Sequence, residues 1–248
     1  MAIEPSIGKV AANRRWTENL YSIQIKAEFN PFEPGQFGRI GMEIDGKNIL
    51  RPYSFVNTPD ESLYEFYYGI VPEGPLSPRL PALKEGDDIL YVPKPNGYLV
   101  LSEIPDARQL WMLATGTAVG PFLSILKGAK VWERFDRLVL AHAVRHADEL
   151  SYSEEIQELL KKGGGRLFFA PFVSREKTNF AFEGRIPAAL ESGLLSQKAG
   201  LEISPDESQF MICGNPEMVK DTTAVLQSLG LERNRRRTPG HITMENYW

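Results

Sequence analysis

Residues 109–130 read QLWMLATGTAVGPFLSILKGAK, and this stretch decides the fold. Residues 109–114 form an apolar strand. Glycine then punctuates the chain, and residues 119–130 take up helical spacing, with Val119, Phe122, Leu123, Ile125 and Leu126 on one stripe. A strand that turns through glycine into a helix begins a parallel α/β sheet, and the turn is where such sheets bind nucleotides. The run Ala114-Thr115-Gly116-Thr117-Ala118-Val119-Gly120-Pro121 is not G-x-G-x-x-G, so the ordinary dinucleotide fingerprint is absent. Gly116 and Gly120 still allow close backbone approach; the plainer reading is a tight strand–helix turn.

Downstream, strands at 137–144, 166–173 and 209–213 alternate with helices at 151–162, 186–192 and 216–229. Tyr152, Ile156, Leu159 and Leu160 mark the apolar face of the first of these helices. Pro216 stands at a helix start, where its missing N–H is harmless. Such alternation implies a parallel sheet covered on both faces. Upstream the period is two: residues 20–27 place Ile23, Ile25 and Ala27 on one side, with Ser22, Gln24 and Lys26 on the other. Residues 38–49 form a hairpin about Asp45-Gly46, a pair suited to the positive φ of a tight turn. Further strands are expected at 51–57, 63–71, 87–92 and 98–101, with a short helix near 77–83. Short strands punctuated by Pro and Gly point to an antiparallel barrel. The expected fold is therefore two-domain, an antiparallel β-barrel over residues 1–101 followed by an α/β parallel-sheet domain over 102–248, joined by a linker at 100–108.

Composition narrows the function. The chain has 248 residues, and its 42% apolar content supplies a large core. A net charge of −4 argues against nucleic-acid binding by overall field. No apolar run approaches the roughly 20 residues of a membrane span, and the opening MAIEPSIGKV lacks the charged-then-apolar pattern of a secretory signal. A cytoplasmic protein without membrane or nucleic-acid partners is expected. With a single cysteine, Cys213, an internal disulfide framework is impossible and a thiolate-held metal is not expected. His142, His146 and His241 form no metal-ligand spacing. Redox chemistry would need a bound organic cofactor.

Six features carry chemistry, each beside a plainer reading. In Arg51-Pro52-Tyr53-Ser54 an arginine can clamp a pyrophosphate, a tyrosine can stack on a flat heterocycle and a serine can hydrogen-bond a ring nitrogen; alternatively this is a strand with a surface arginine. Gly74-Pro75-Leu76-Ser77-Pro78 leads toward the short helix and suits phosphate, or simply caps the helix through Ser77. The Gly116 turn is the third. Arg145, Arg175 and Arg185 share the carboxyl edge of the sheet, fit for a dianionic phosphate such as the 2′-phosphate of NADPH, or are solvated surface. Cys213-Gly214-Asn215-Pro216 ends the last parallel strand, where a nicotinamide could lie or where a buried cysteine serves as a small apolar residue. The end, His241-Ile242-Thr243-Met244-Glu245-Asn246-Tyr247-Trp248, could stack aromatics on a flat ring or close the sheet as a terminal strand.

Taken in order, RPYS, GPLSP, ATGTAVGP, CGNPEM and the Tyr-Trp carboxyl end resemble the bacterial ferredoxin/flavodoxin–NADP reductases of the flavin reductase superfamily, over essentially the whole chain. The resemblance implies an FAD-dependent enzyme that takes a hydride from NADPH at flavin N5 and passes single electrons to ferredoxin or flavodoxin. It implies FAD contacts from Arg51, Pro52, Tyr53, Ser54, Ile70, Gly74, Leu76, Ser77, Thr117, Tyr247 and Trp248. For NADP(H) it implies Thr117, Arg145, Ser174, Arg175, Arg185, Cys213 and Asn215, with Ser54 and Cys213 nearest the chemistry. Pro52 fills a variable position of the motif and removes a backbone donor. A monomer is expected, with an acidic partner meeting the basic run 233–237. Rival readings are an oxygenase-type reductase, for which the cysteines of an iron–sulfur domain are missing; a free flavin reductase; a non-catalytic flavin module, which would lack the arginines; and a nucleic-acid binder using the same basic run.

Overall fold

The computed structural model describes residues 4–247. Its first half contains six antiparallel strands, β1 (Ser6–Arg15), β2 (Leu20–Lys26), β3 (Phe37–Ile44), β4 (Lys47–Ser54), β5 (Tyr64–Gly69) and β6 (Asp88–Asn96), in the order β4-β3-β6-β1-β2-β5. The outer strands meet just beyond the ladder: Phe55 bridges Phe66, and Val56 N–H donates to the Glu65 carbonyl at 2.9 Å. That contact closes the sheet into a barrel. Asp45 and Gly46 both take positive φ, 51° and 72°, so β3 and β4 join through the two-residue turn their sequence predicts. Ile23, Ile25, Ile40, Phe55 and Phe66 fill the barrel, and Phe32 stacks on Phe55 with ring centroids 4.1 Å apart.

Several features of this half differ from the sequence reading. β1 was not anticipated; its small and polar residues Gly8, Lys9, Ala11 and Ala12 hide the alternation, and a bulge between Val10 and Ala12 shifts the register. Residues 98–101 form no strand: Gly97, at φ 118°, ends β6, and a single 3-10 turn follows at Leu101–Glu103. The expected helix near 77–83 is only the 3-10 turn Leu80–Ala82, in a segment where Pro75, Pro78 and Pro81 deny it backbone donors.

The second half is a six-stranded sheet of β7 (Gln109–Thr115), β8 (Arg137–Val144), β9 (Leu167–Val173), β10 (Phe182–Glu183), β11 (Ser208–Gly214) and β12 (Ile242–Asn246), all parallel. Helices α1 (Gly120–Lys127), α2 (Lys130–Arg134), α3 (Ser153–Gly163), α4 (Ile186–Glu191), α5 (Leu194–Ala199) and α6 (Pro216–Ser228) connect and cover it. Leu110, Met112 and Ala114 of β7 point into one core and Trp111 and Leu113 into another, as expected of a strand buried on both faces. The order β10-β9-β8-β7-β11-β12 runs outward in one direction from β7 to β10 and then restarts on the other side with β11. The crevice at such a reversal, beyond the carboxyl ends of β7 and β11, is where open α/β sheets bind ligands.

The two halves share a core. Val56 and Tyr67 of the barrel are buried with residues of α1 and α3, and a Cβ on Gly120 would sit 3.3 Å from Val56 Cγ2, so glycine lets α1 approach this closely. Polar contacts fix the join: Ser124 Oγ donates to the Asn57 carbonyl at 2.7 Å, Tyr67 Oη to Ser151 Oγ at 2.9 Å, and Tyr152 Oη to Glu65 Oε1 at 2.6 Å. Tyr152 holds a φ of 63°, a conformation uncommon for a bulky residue. No described helix is long and apolar enough to cross a membrane.

Candidate functional site

A cavity of about 470 Å³ opens where the ends of β4 and β5 face the carboxyl ends of β7 and β12. That is the size of a pocket for a small molecule or for part of a larger cofactor. Its walls come from segments scattered along the sequence. Arg51, Pro52, Tyr53 and Ser54 end β4; Tyr68, Gly69 and Val71 end β5; Gly74 to Ser77 form the following loop; and Thr117, Glu245, Asn246 and Tyr247 come from the parallel sheet.

β4 presents its residues alternately. Pro52 sits on the outermost strand of the ladder, where a missing N–H is tolerated. Burial pushes the Tyr53 phenol up to about 12, against the opposing pull of Arg51, so it stays a neutral aromatic wall. Ser54 Oγ is buried and has no partner of good hydrogen-bond geometry among the described residues, although the Tyr247 phenol lies close enough to feel its side chain. A buried hydroxyl left unpaired is costly unless a ligand completes it.

In the loop after β5, Ser77 Oγ accepts the Val71 N–H at 2.9 Å and Gly74 N–H donates to the Val71 carbonyl at 2.8 Å. These bonds fold the loop back on itself. No hydrogen bond joins the backbone N–H of Leu76 or Ser77 to another described residue. Ser77 is therefore a loop clasp rather than a helix cap, and the anion-binding argument passes from a helix dipole to these two free donors. Ile70 does not line the cavity; its N–H donates to the Asn19 carbonyl at 2.9 Å, and its neighbours Gly69 and Val71 face the space instead.

On the sheet side, Gly116 takes a φ of 55° with open space around it, so it is the backbone turn that asks for glycine. Gly214 differs: at φ 140°, a Cβ there would lie 2.0 Å from Thr115 Oγ1. That same oxygen accepts the Asn215 N–H at 2.9 Å, drawing the ends of β7 and β11 together. Asn215 caps α6 through Oδ1. Cys213 is fully buried beneath these residues and does not line the cavity; burial, with Glu245 beside it, pushes its thiol well above the usual range. It remains a neutral thiol one layer under the pocket.

Glu245 and Asn246 were missed by the sequence reading. Glu245 pairs with Cys213 across β12 and β11, lines the cavity, and is pushed by burial up to about 7. Tyr247 lines the cavity, its phenol raised by burial and by the Cys213 and Glu245 next to it. The plainer reading of the carboxyl end holds, since β12 closes the sheet as its edge strand. Trp248 lies outside the described residues.

The expected phosphate arginines lie apart from the cavity, along the same sheet edge. Arg145 and Arg175 follow β8 and β9 and are neighbours, the Arg175 N–H donating to the Arg145 carbonyl at 2.9 Å. Ser174 is bonded to the Val144 carbonyl through its N–H and its hydroxyl, at 3.1 and 3.2 Å. Arg185 stands at the start of α4. All three arginines are exposed.

Comparison with known proteins agrees with this layout. The model of the oxidoreductase NAD-binding domain matches residues 112–224. The flavodoxin/ferredoxin–NADP reductase of Escherichia coli K12 is 48% identical over 97% of this chain and 98% of its own; the ferredoxin–NADP reductase of Azotobacter vinelandii is 37% identical over 97% and 96%. A crystal structure of a ferredoxin NADP+ reductase from Neisseria gonorrhoeae with bound FAD and NADP superposes with a TM-score of 0.93 at 32% identity, covering 98% of this chain and 99% of that one. The fold is thus shared with the Neisseria reductase over nearly the whole of both chains, the sequence matches run almost the full length, and the chain belongs to the flavodoxin/ferredoxin–NADP reductase family.

Proposed function

We propose that this protein is an FAD-dependent oxidoreductase that carries electrons between NADPH and a ferredoxin or flavodoxin, with residues 1–101 serving FAD and residues 102–248 serving NADP(H). The observation that carries the reading is the cavity shared by both halves, with the buried Ser54 side chain on its wall. Bound FAD would supply the redox chemistry, accepting two electrons from NADPH and delivering them singly to the protein partner.

The chain's own residues hold and orient. Tyr53 offers a ring face to the isoalloxazine and Ser54 Oγ a hydrogen bond to its polar edge. Leu76 and Ser77 N–H groups, with the Arg51 guanidinium, receive the pyrophosphate. Tyr247 covers the flavin on the side of the parallel sheet, and Thr117 stands where nicotinamide and flavin meet. Arg145, Arg175 and Arg185, with Ser174, take the 2′-phosphoadenosine end. Asn215 sets the approach of the nicotinamide, while Cys213, being buried, shapes the floor and exchanges no proton.

The partner reading rests on charge. Arg233, Arg235, Arg236 and Arg237 are exposed, on a chain of net charge −4. Asn234 pins their loop to the domain boundary, Nδ2 donating to the Glu103 carbonyl at 2.7 Å, and Arg236 lies over the Tyr98 ring. An acidic redox protein would be steered to this face. We place the protein in the cytoplasm and read it as a monomer. The test is electron transfer from NADPH to a purified ferredoxin or flavodoxin at increasing salt. A rate that falls as salt rises is expected; transfer to neither protein would refute the function, and a salt-independent rate would refute the docking face.

A further inference from the structure

His142 is the one histidine of β8, and its surroundings are unusual for a core residue. It is fully buried and pairs in register with Ala114 of β7. Leu138 and Leu140 lie on the same face of the strand and belong to the core shared by the two halves. Nε2 lies 2.9 Å from the carbonyl oxygen of Gly116. A carbonyl oxygen can only accept, so Nε2 carries the proton and Nδ1 the lone pair. That Nδ1 is buried with no partner among the described residues. Burial lowers the imidazole to about 4, so at neutral pH the ring is uncharged and the tautomer is fixed by this one bond.

A leucine or methionine would fill the same space without burying an unpaired nitrogen. The imidazole is therefore best explained by what its one bond holds. The Gly116 carbonyl belongs to the peptide that leads into Thr117, at the point where the chain takes a positive φ of 55°. No peptide among the described residues is cis, so carbonyl and following N–H point in opposite directions. Tying the carbonyl down to His142 turns the Thr117 N–H away from the core. Thr117 itself lines the cavity, its Cγ2 3.9 Å from where a Cβ on Gly69 would stand.

We propose that His142 is a positioning residue: its Nε2–H anchors the Gly116 carbonyl and so fixes the Gly116–Thr117 peptide, and Thr117 with it, at the wall where nicotinamide and flavin meet. This rests on the reading of that wall given above. The turn opens the 3-10 helix Gly116–Val119, and the His142 bond is the side-chain contact that sets the tilt of its first peptide; a misplacement of about 1 Å in such a position costs up to about a hundredfold in rate.

The test uses the FAD-loaded full chain and the variants H142L, H142M and H142Q, the last keeping an amide N–H for the Gly116 carbonyl. Stopped-flow reduction by NADPH separates the limiting rate from the apparent Kd, and the long-wavelength charge-transfer absorbance reports nicotinamide–flavin stacking. We expect H142L and H142M to retain FAD and a wild-type Tm, to lose roughly tenfold to a hundredfold in limiting rate with little change in Kd, and to weaken the charge-transfer band. H142Q should recover most of the rate. Independently of activity, 15N NMR of labelled histidine should report the Nε2–H tautomer at neutral pH. An Nδ1–H tautomer overturns the proposal, as do apolar variants reduced at the wild-type rate or an H142Q no faster than H142L. Apolar variants that cannot hold FAD would make the role structural and also overturn it. Should NADPH fail to reduce the wild-type protein, the functional reading itself falls; wild-type reduction with unaffected variants removes His142 alone.

Discussion

Replacing Gly214 by alanine tests how the ends of β7 and β11 are joined. The new Cβ would lie 2.0 Å from Thr115 Oγ1 and 3.0 Å from Thr115 N. The threonine side chain can rotate away, but its backbone nitrogen cannot, and rotation gives up the bond that Oγ1 accepts from Asn215 N–H at 2.9 Å. An alanine held at φ 140° adds about 1–3 kcal/mol of backbone strain, and the lost hydrogen bond about 1 kcal/mol. A total near 2–4 kcal/mol corresponds to a fall in Tm of roughly 5–15 °C for a chain of this size. Gly116→Ala is the control: its φ is also positive, but no atom lies within 4 Å of the added Cβ, so only about 1–2 kcal/mol is expected. Thermal unfolding of both variants with and without FAD decides the matter. A Gly214→Ala protein within about 2 °C of wild type, or one more stable than Gly116→Ala, would refute the argument that close strand approach, and not φ alone, requires this glycine.

Ser54→Ala removes a hydroxyl that has no good partner in the protein, so the Tm of the FAD-free protein should hold or rise slightly while FAD binding weakens and flavin reduction by NADPH slows; titration calorimetry and stopped-flow report the two effects. Glu245 gives a pH signature. Its carboxyl is raised to about 7 in the folded chain, so its contribution to stability is fully present below about pH 4.5 and is lost as pH rises through about 7, a loss of about 3 kcal/mol. Denaturant unfolding of the FAD-free protein from pH 5 to 8 should show that decline, and Glu245→Gln should flatten it. Tyr152→Phe deletes the bond across the two halves to Glu65; Glu65 keeps the Gln24 amide on its other oxygen, so the cost should be about 1–2 kcal/mol by denaturant titration.

Much of this fold can be read locally. Asp45-Gly46 announces its hairpin because the turn itself demands positive φ, and β7, β8, β9 and β11 are visible because a strand buried on both faces is a nearly unbroken apolar run. β1 escapes that logic: its burial comes from pairing with β2 and β6, not from its own side chains. The site divides in the same way. Arg51 to Ser54, Gly74 to Ser77, Thr117 and Tyr247 stand out in the sequence because glycine, aromatic and basic residues at element ends are informative in themselves, and the fold gathers them on one cavity wall. Glu245 reads as an ordinary polar residue near a chain end, and only the parallel pairing of β12 with β11 buries it beside Cys213. Ile70 lies one position past the end of β5 and does not line the cavity, where its neighbours Gly69 and Val71 do. Cys213 has the right place in sequence, yet its side chain points into the core; strand register, which no local pattern fixes, decides the direction. His142 gave no signal beyond its lack of metal spacing, because its partner carbonyl is 26 residues away.

The most direct test of the account is anaerobic stopped-flow mixing of the FAD-loaded protein with NADPH and, separately, with NADH, following flavin absorbance. Rapid bleaching of one FAD per chain by NADPH, with NADH much slower and the difference reduced by Arg145→Ala or Arg175→Ala, is the predicted result. A protein that binds no FAD, or whose flavin neither nucleotide reduces, would contradict it.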